Sequence, residues 1–277
     1  MIKNIISGAC IGVANIIPGV SGGTVALLLG VYEKLTESVG EFLTASVEKK
    51  KEYIKFLSQI FVGAVIGLLG FAKIIGYLYA HHEEATSFFF LGLIVASLPL
   101  VLNHRESKVL NNSGKLWFLI GLLIMIGFSV LQHFYGSSES GVTSYAMNSS
   151  YAIKLILAGS LAGGAMVIPG ISGSLLLVML GEYYNILGFV NNRMLLPISL
   201  VGIGAVIGII GFARIIDKLL KSHKDNTLYF IIGLIVASLL EIWPGFTLDL
   251  SNGILNIISI LLGVFIVQLM KKLEGKK

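Results

Sequence analysis

Twice in this chain a long apolar segment is interrupted by the same element, and few folds can accommodate such a break. Gly-Val-Ala-Asn-Ile-Ile-Pro-Gly-Val-Ser-Gly-Gly at 12–23 returns as Gly-Gly-Ala-Met-Val-Ile-Pro-Gly-Ile-Ser-Gly-Ser at 163–174. The offset of 151 also carries Gly30 to Gly181 and Tyr32 to Tyr183. A second block, 63–73, returns at 204–214, and Gly-Leu-Ile-Val-Ala-Ser at 92–97 returns letter for letter at 233–238, both at offset 141. Three blocks in one order define two repeats of one unit, with a shorter loop in the second.

Lipid is the solvent that such a unit requires. Hydrophobic residues make up 55% of the chain and charged residues 13%, with a mean hydropathy of +0.88. A soluble protein of this length has no core large enough to hide that surface. The apolar run after Lys3 carries no small-residue cleavage site and is read as part of the mature fold. The net charge of +5 is spread over short loops and forms no continuous basic face. It therefore speaks for orientation in a bilayer and against a nucleic-acid partner. Cys10 is the sole cysteine, which excludes a disulfide framework and a thiolate metal site. No cofactor is called for.

Crossing the hydrocarbon takes about 20 apolar residues of helix. Residues 56–79, 87–102 and 116–134 approach this in the first half, and 196–217, 228–243 and 254–270 in the second. The segments at 5–38 and 152–189 differ, because proline removes a backbone donor and glycine admits positive φ near their middles. Each arm is then roughly 13 residues, about 20 Å, too short to span. The expectation is a re-entrant helical hairpin in each half, its tip near the bilayer midplane.

Loop charges give the orientation. With hairpins that enter and leave on one side, Lys34, Lys49, Lys50, Lys51, Lys55, Arg105, Lys108 and Lys115 share a face with Lys218, Lys221, Lys224 and the tail lysines. The opposite loops, at 80–86, 135–150, 182–195 and 244–252, contain Arg193. The positive-inside bias then puts both termini in the cytoplasm. Three crossings per half invert the second repeat. The expected fold is an all-α polytopic membrane protein with two inverted-topology repeats, 1–135 and 151–277, in one membrane domain. Inverted repeats with broken helices are the architecture of secondary transporters.

The broken tips suggest what is carried. Helix N-termini offer free N–H groups and partial positive charge, so Ser21, Gly22 and Gly23 with Ser172, Gly173 and Ser174 form a candidate anion cradle. The simpler role for Ser21 and Ser172 is capping of the second arms. Lys73 and Arg214 are equivalent in the repeat and lie inside apolar helices, where a charge costs about 2.5–3.5 kcal/mol on insertion scales. Snorkelling is the alternative for both; inversion would give each membrane face one cation able to receive a phosphate. Glu33, Glu182 and Glu241 are candidate coupling carboxylates, though interfacial positions account for them as well. Trp117, Trp243, Tyr77 and Tyr79 suit an aromatic belt.

The twin Pro-Gly-x-Ser-Gly elements at 18–22 and 169–173, followed by Gly30-Val-Tyr-Glu and Gly181-Glu-Tyr-Tyr, resemble the PopT-type undecaprenyl-phosphate translocases, formerly domain-of-unknown-function family 368. The resemblance covers nearly the whole chain. It implies a flippase of the bacterial cytoplasmic membrane that returns undecaprenyl phosphate from the outer to the inner leaflet for peptidoglycan and related envelope polymers. Ser174 stands where the first tip has Gly23, so the tips are not identical. Membrane lipids are the other partners, and a homo-oligomer is compatible with the pattern. The main alternative is a secondary transporter of a small soluble anion. An intramembrane serine hydrolase ranks lower, since His81, His82, His104, His133 and His223 sit in loops or near helix ends, where no base reaches a buried serine.

Overall fold

The computed structural model describes residues 1–16, 20–103, 112–135, 147–245 and 250–274. Pro18 and Gly19 of the first break, Arg105, Lys108, His104, Lys276 and Lys277 lie outside them. Every regular element among the described residues is a helix. The first half contains α1 (Ile2–Ala14), α2 (Gly22–Leu28), α3 (Tyr32–Gly40), α4 (Val47–Asn103) and α5 (Asn112–Tyr135). The second contains α6 (Ser149–Val167), α7 (Gly173–Met179), α8 (Tyr183–Asn191), α9 (Leu195–Ser222), α10 (Lys224–Ile242) and α11 (Leu250–Glu274).

Helix α4 is two helices joined at a kink, where His82 leaves helical geometry at φ −142°, ψ 47°. Ile74 and Leu93 line one cavity, although a straight helix would hold them nearly 30 Å apart, so the arms fold back on each other. His223, the repeat equivalent, has φ −143°, ψ 52° and separates α9 from α10. At both kinks a threonine hydroxyl, Thr86 or Thr227, donates to the histidine carbonyl four residues before it. Among the described residues, and with α4 counted once, five helices are long and apolar enough to cross a membrane, or six if the bent pair α7–α8 counts as one span.

The hairpins differ from two simple arms of about 13 residues. The first arms are α1, of 13 residues, and α6, of 19 residues, which is long and apolar enough to span alone. Each second arm is divided after seven residues, and α7 meets α8 at 107°. The cause is a glycine in the left-handed region, Gly30 at φ 65° and Gly181 at φ 70°. Val31 N–H donates to the Ala26 carbonyl and Gly30 N–H to that of Leu27, and the second half repeats the pattern from Glu182 to Leu177 and from Gly181 to Val178. These paired bonds form a Schellman motif, which stops a helix and turns the chain.

Packing follows small residues. A Cβ on Gly8, Gly12, Gly63 or Gly67 would fall on the backbone carbonyls of Ile60, Ala64, Ile5 or Ala9, locking α1 to α4. Gly159, Gly163, Gly204 and Gly208 meet Val201, Ala205, Ile156 and Ser160 in the same way and lock α6 to α9. Without a hydrophobic drive between helices in lipid, this backbone-to-backbone approach supplies the contact. The final helices are exchanged. Helix α5 packs on α10 through Gly121 at Phe230 and Gly233 at Phe118, and α11 packs on the second arm of α4 through Gly92 at Ile260 and Gly263 at Phe89.

Candidate substrate site at the crossed tips

The start of α2 touches the second break. A Cβ on Gly23 would lie 3.2 Å from the Val167 carbonyl oxygen, 3.3 Å from Pro169 N and 3.4 Å from the Met166 oxygen. Gly170 N–H donates to Thr24 Oγ1 at 2.9 Å, and the buried Tyr32 hydroxyl donates to the Val167 carbonyl at 3.0 Å. Thus the first hairpin satisfies two backbone groups freed by the second break, as buried irregular backbone requires. The repeat alignment marks Tyr32 without giving it a role, and nothing in the sequence singles out Thr24. Tyr32→Phe strands the Val167 carbonyl. It is expected to cost about 1–2 kcal/mol, seen as a lower melting temperature of the purified protein.

The two serine tips are chemically unlike. Ser21 is buried and its hydroxyl accepts from Gly23 N–H at 3.2 Å, an N-cap on α2. Ser172 makes no such cap; its hydroxyl lies 2.7 Å from that of the exposed Ser174. The second tip therefore presents two hydroxyls above the first turn of α7, whose N–H groups have no intrahelical partner. A pocket of about 170 Å³ lies against the first tip, lined by Asn15, Gly22, Gly23, Tyr32 and Thr36 from the first half and by Met166 and Val167 from the second. Asn15 is a lining residue that sequence reasoning misses. Its only signal is an amide where the repeat has Met166.

Lys73 and Arg214 are not brought to the tips. Both are exposed, and neither lines the tip pocket nor forms an ion pair among the described residues. Arg214 contributes its backbone to the fold, since a Cβ on Gly40 would lie 2.6 Å from the Arg214 Cα.

The candidate carboxylates occupy three different settings. Glu33 pairs with Lys224 at 2.9 Å. It belongs to a charged pocket of about 400 Å³ that includes Lys34, Glu37, Lys49 and Glu52. Nearby, Lys221 bridges Glu41 at 2.6 Å and Asp217 at 2.9 Å, tying the end of α3 to α9. The bond from Lys221 is the main cause holding the Glu41 carboxyl below its ordinary range. Glu182 is fully buried, with Lys154 at 2.6 Å, Tyr151 OH donating at 2.9 Å and Asn185 Nδ2 donating at 3.1 Å. Nothing in the sequence singles out Lys154 as its partner. Glu182→Gln keeps the shape and removes the charge, and is expected to lower stability by about 2 kcal/mol in thermal unfolding. Glu241 is half-buried, and its Oε1 has no hydrogen-bond partner among the described residues. Its repeat position, Leu100, has a side chain outside the described residues.

Of the histidines with described side chains, His81, His82 and His223 are exposed, and none bonds to Ser21.

Residues 11–267 match a family described as VCA0040-like, undecaprenyl phosphate translocase-like. A polyprenyl-phosphate transporter of Vibrio cholerae is 32% identical over 249 residues, covering 86% of this chain and 76% of the relative. A polyprenyl-phosphate transporter of Staphylococcus aureus is 32% identical over 273 residues, covering 96% of this chain and 94% of the relative. No solved structure matches the chain. Both relatives are named as transporters, and the family is one of translocases rather than enzymes. With the match running from the end of α1 into α11 and taking in both breaks, the chain belongs to the undecaprenyl phosphate translocase-like family.

Proposed function

We propose that the protein moves undecaprenyl phosphate from the outer to the inner leaflet of the bacterial cytoplasmic membrane, returning the carrier for envelope polymer synthesis. The observation that carries this reading is the crossing of two broken helices at which the Ser172 and Ser174 hydroxyls bond to each other and cap no helix, while Ser21 is used as a cap. A phosphate cannot be drawn through hydrocarbon unpaired. Ser172, Gly173 and Ser174 receive it on one side, with Ser21, Gly22 and Gly23 and the Asn15 amide across the junction. Lys73 and Arg214, on outer surfaces, attract the headgroup as it arrives from the lipid.

In this reading the two halves are inverted repeats, 1–135 and 151–277, with both termini cytoplasmic. Rocking of one against the other exposes the junction to each leaflet in turn. The matching glycine contacts of α1 with α4 and of α6 with α9 support two equivalent rigid pairs. Glu33, Glu182 and Glu241 are the carboxylates available for coupling. Inward movement of an anion is opposed by an inside-negative potential, so a driving ion is expected.

The test is flipping in sealed proteoliposomes, with an impermeant reagent reporting the undecaprenyl-phosphate headgroup in each leaflet and a zwitterionic phospholipid as control. Protein-dependent movement of the polyprenyl phosphate alone is expected. Equal movement of both lipids, or of neither under several pH and potential gradients, would refute the assignment and turn attention to a soluble anion.

A further inference from the structure

An apolar cavity of about 530 Å³ opens beside the first tip. Helix α1 lines it from Ile6 to Val13, α2 contributes Val25 and Leu28, and the two arms of α4 contribute Phe71 and Leu93. Ile6 and Val13 are seven residues apart, on the order of 10 Å along the helix, so the cavity runs beside α1 toward the break. Val20, which precedes Ser21, is also in its wall. Helix α2 thus stands between two spaces. Val25 and Leu28 face the apolar cavity, and Gly22 and Gly23 face the pocket against the first tip.

The second half is packed differently at the equivalent place. There the ring of Phe212, the counterpart of Phe71, lies against Gly164, leaving no room for a Cβ. The first half has Val13 in place of that glycine. Phe71 cannot take the pose of Phe212 without displacing Val13, and it remains 45% exposed. This exchange in the repeat leaves the Phe71 ring outside the position that Phe212 takes against Gly164. The volume falls within the range of ligand pockets, and walls of this kind exclude water and hold hydrocarbon.

We propose that this cavity seats the phosphate-proximal isoprene units of the polyprenyl-phosphate substrate while its phosphate is held at the crossed tips. The assignment rests on the polyprenyl-phosphate reading above. A phosphate beside Ser21 and Gly22 sits at the N-terminal end of α2, one residue from Val20 in the cavity wall, so the prenyl chain reaches the cavity by passing that end of the helix. The protein then selects its substrate by the tail as well as by the charge, and a phosphate without a prenyl chain forgoes the contacts of this cavity.

The experiment uses the native chain in liposomes with a polyprenyl phosphate bearing a photoactivatable diazirine on its first isoprene unit. Cross-linked peptides are read by mass spectrometry, and transport of undecaprenyl phosphate is measured in the same preparation. Labelling is expected on the peptides containing Cys10, Val13, Phe71 and Leu93. It should fall at least tenfold with excess undecaprenyl phosphate and be unchanged by the same excess of phosphatidylglycerol or inorganic phosphate. In parallel, Val13→Phe narrows the space and is expected to raise the KM for undecaprenyl phosphate about tenfold with little change in kcat. Transport with label elsewhere, or with label displaced equally by phosphatidylglycerol, overturns the cavity assignment alone. Absence of any protein-dependent movement of undecaprenyl phosphate overturns the transport reading and this one together.

Discussion

Replacing Ser172 and Ser174 together by alanine is expected to reduce the movement of undecaprenyl phosphate about 100-fold, with membrane insertion and melting temperature nearly unchanged. Hydrogen bonds to a charged group contribute about 1.5–3 kcal/mol each, and two of them reach that factor comfortably. The pair is suited to the test because its hydroxyls bond to one another and cap no helix. Their joint removal leaves no buried partner stranded. Ser21→Ala is the instructive contrast. That hydroxyl caps α2, so its loss is expected to cost about 1 kcal/mol of stability along with any effect on transport. Rates for the double variant within threefold of the unaltered protein would remove the serine pair from the site.

Gly208→Ala is expected to destabilise the protein by about 3 kcal/mol, lowering the melting temperature in detergent by roughly 6–12 °C. The added methyl would fall on the Ser160 carbonyl oxygen, part of the helix backbone and unable to turn aside. Gly211→Ala, three residues along the same helix, meets nothing within 4 Å. It should be neutral or slightly stabilising, because alanine favours helix over glycine by up to about 1 kcal/mol. The two variants carry one chemical change with opposite expected signs. If they melt alike, close backbone contact does not hold α6 to α9. The corresponding pair in the first half, Gly67→Ala and Gly70→Ala, should behave in the same way, since Gly67 faces the Ala9 carbonyl and Gly70 faces open space.

Much of the helical plan is legible in the order of the residues alone. The breaks at Pro18 and Pro169 interrupt apolar segments, and the small-residue spacing at Gly63/Gly67 and Gly204/Gly208 marks the faces that pack on α1 and α6. The divided second arms are less visible. Gly30 and Gly181 stand out as repeat matches, but a positive φ is fixed by which carbonyls are free at the end of a seven-residue helix, and hydropathy does not report that. The tip junction is legible in its serines and not in its fasteners. Thr24 and Tyr32 act across 146 and 135 residues of sequence, and their partners are backbone groups with no side-chain signature. Glu182 is conspicuous as a charge, whereas its burial with Lys154, Tyr151 and Asn185 depends on the fold of the second hairpin.

The exchange of final helices constrains how the chain can be made. The face of α5 that carries Gly121 is completed by Phe230 on α10, a residue translated more than a hundred positions later. The second arm of α4 similarly waits for Ile260 on α11. A ribosome that has delivered the first half has therefore delivered a bundle with two vacant flanks, which must be sheltered by lipid or by the insertion machinery until the second half arrives. Assembly is completed late and from the C-terminal side, and a break in the chain between the halves should be tolerated when both pieces are synthesised together, while neither piece alone holds its shape.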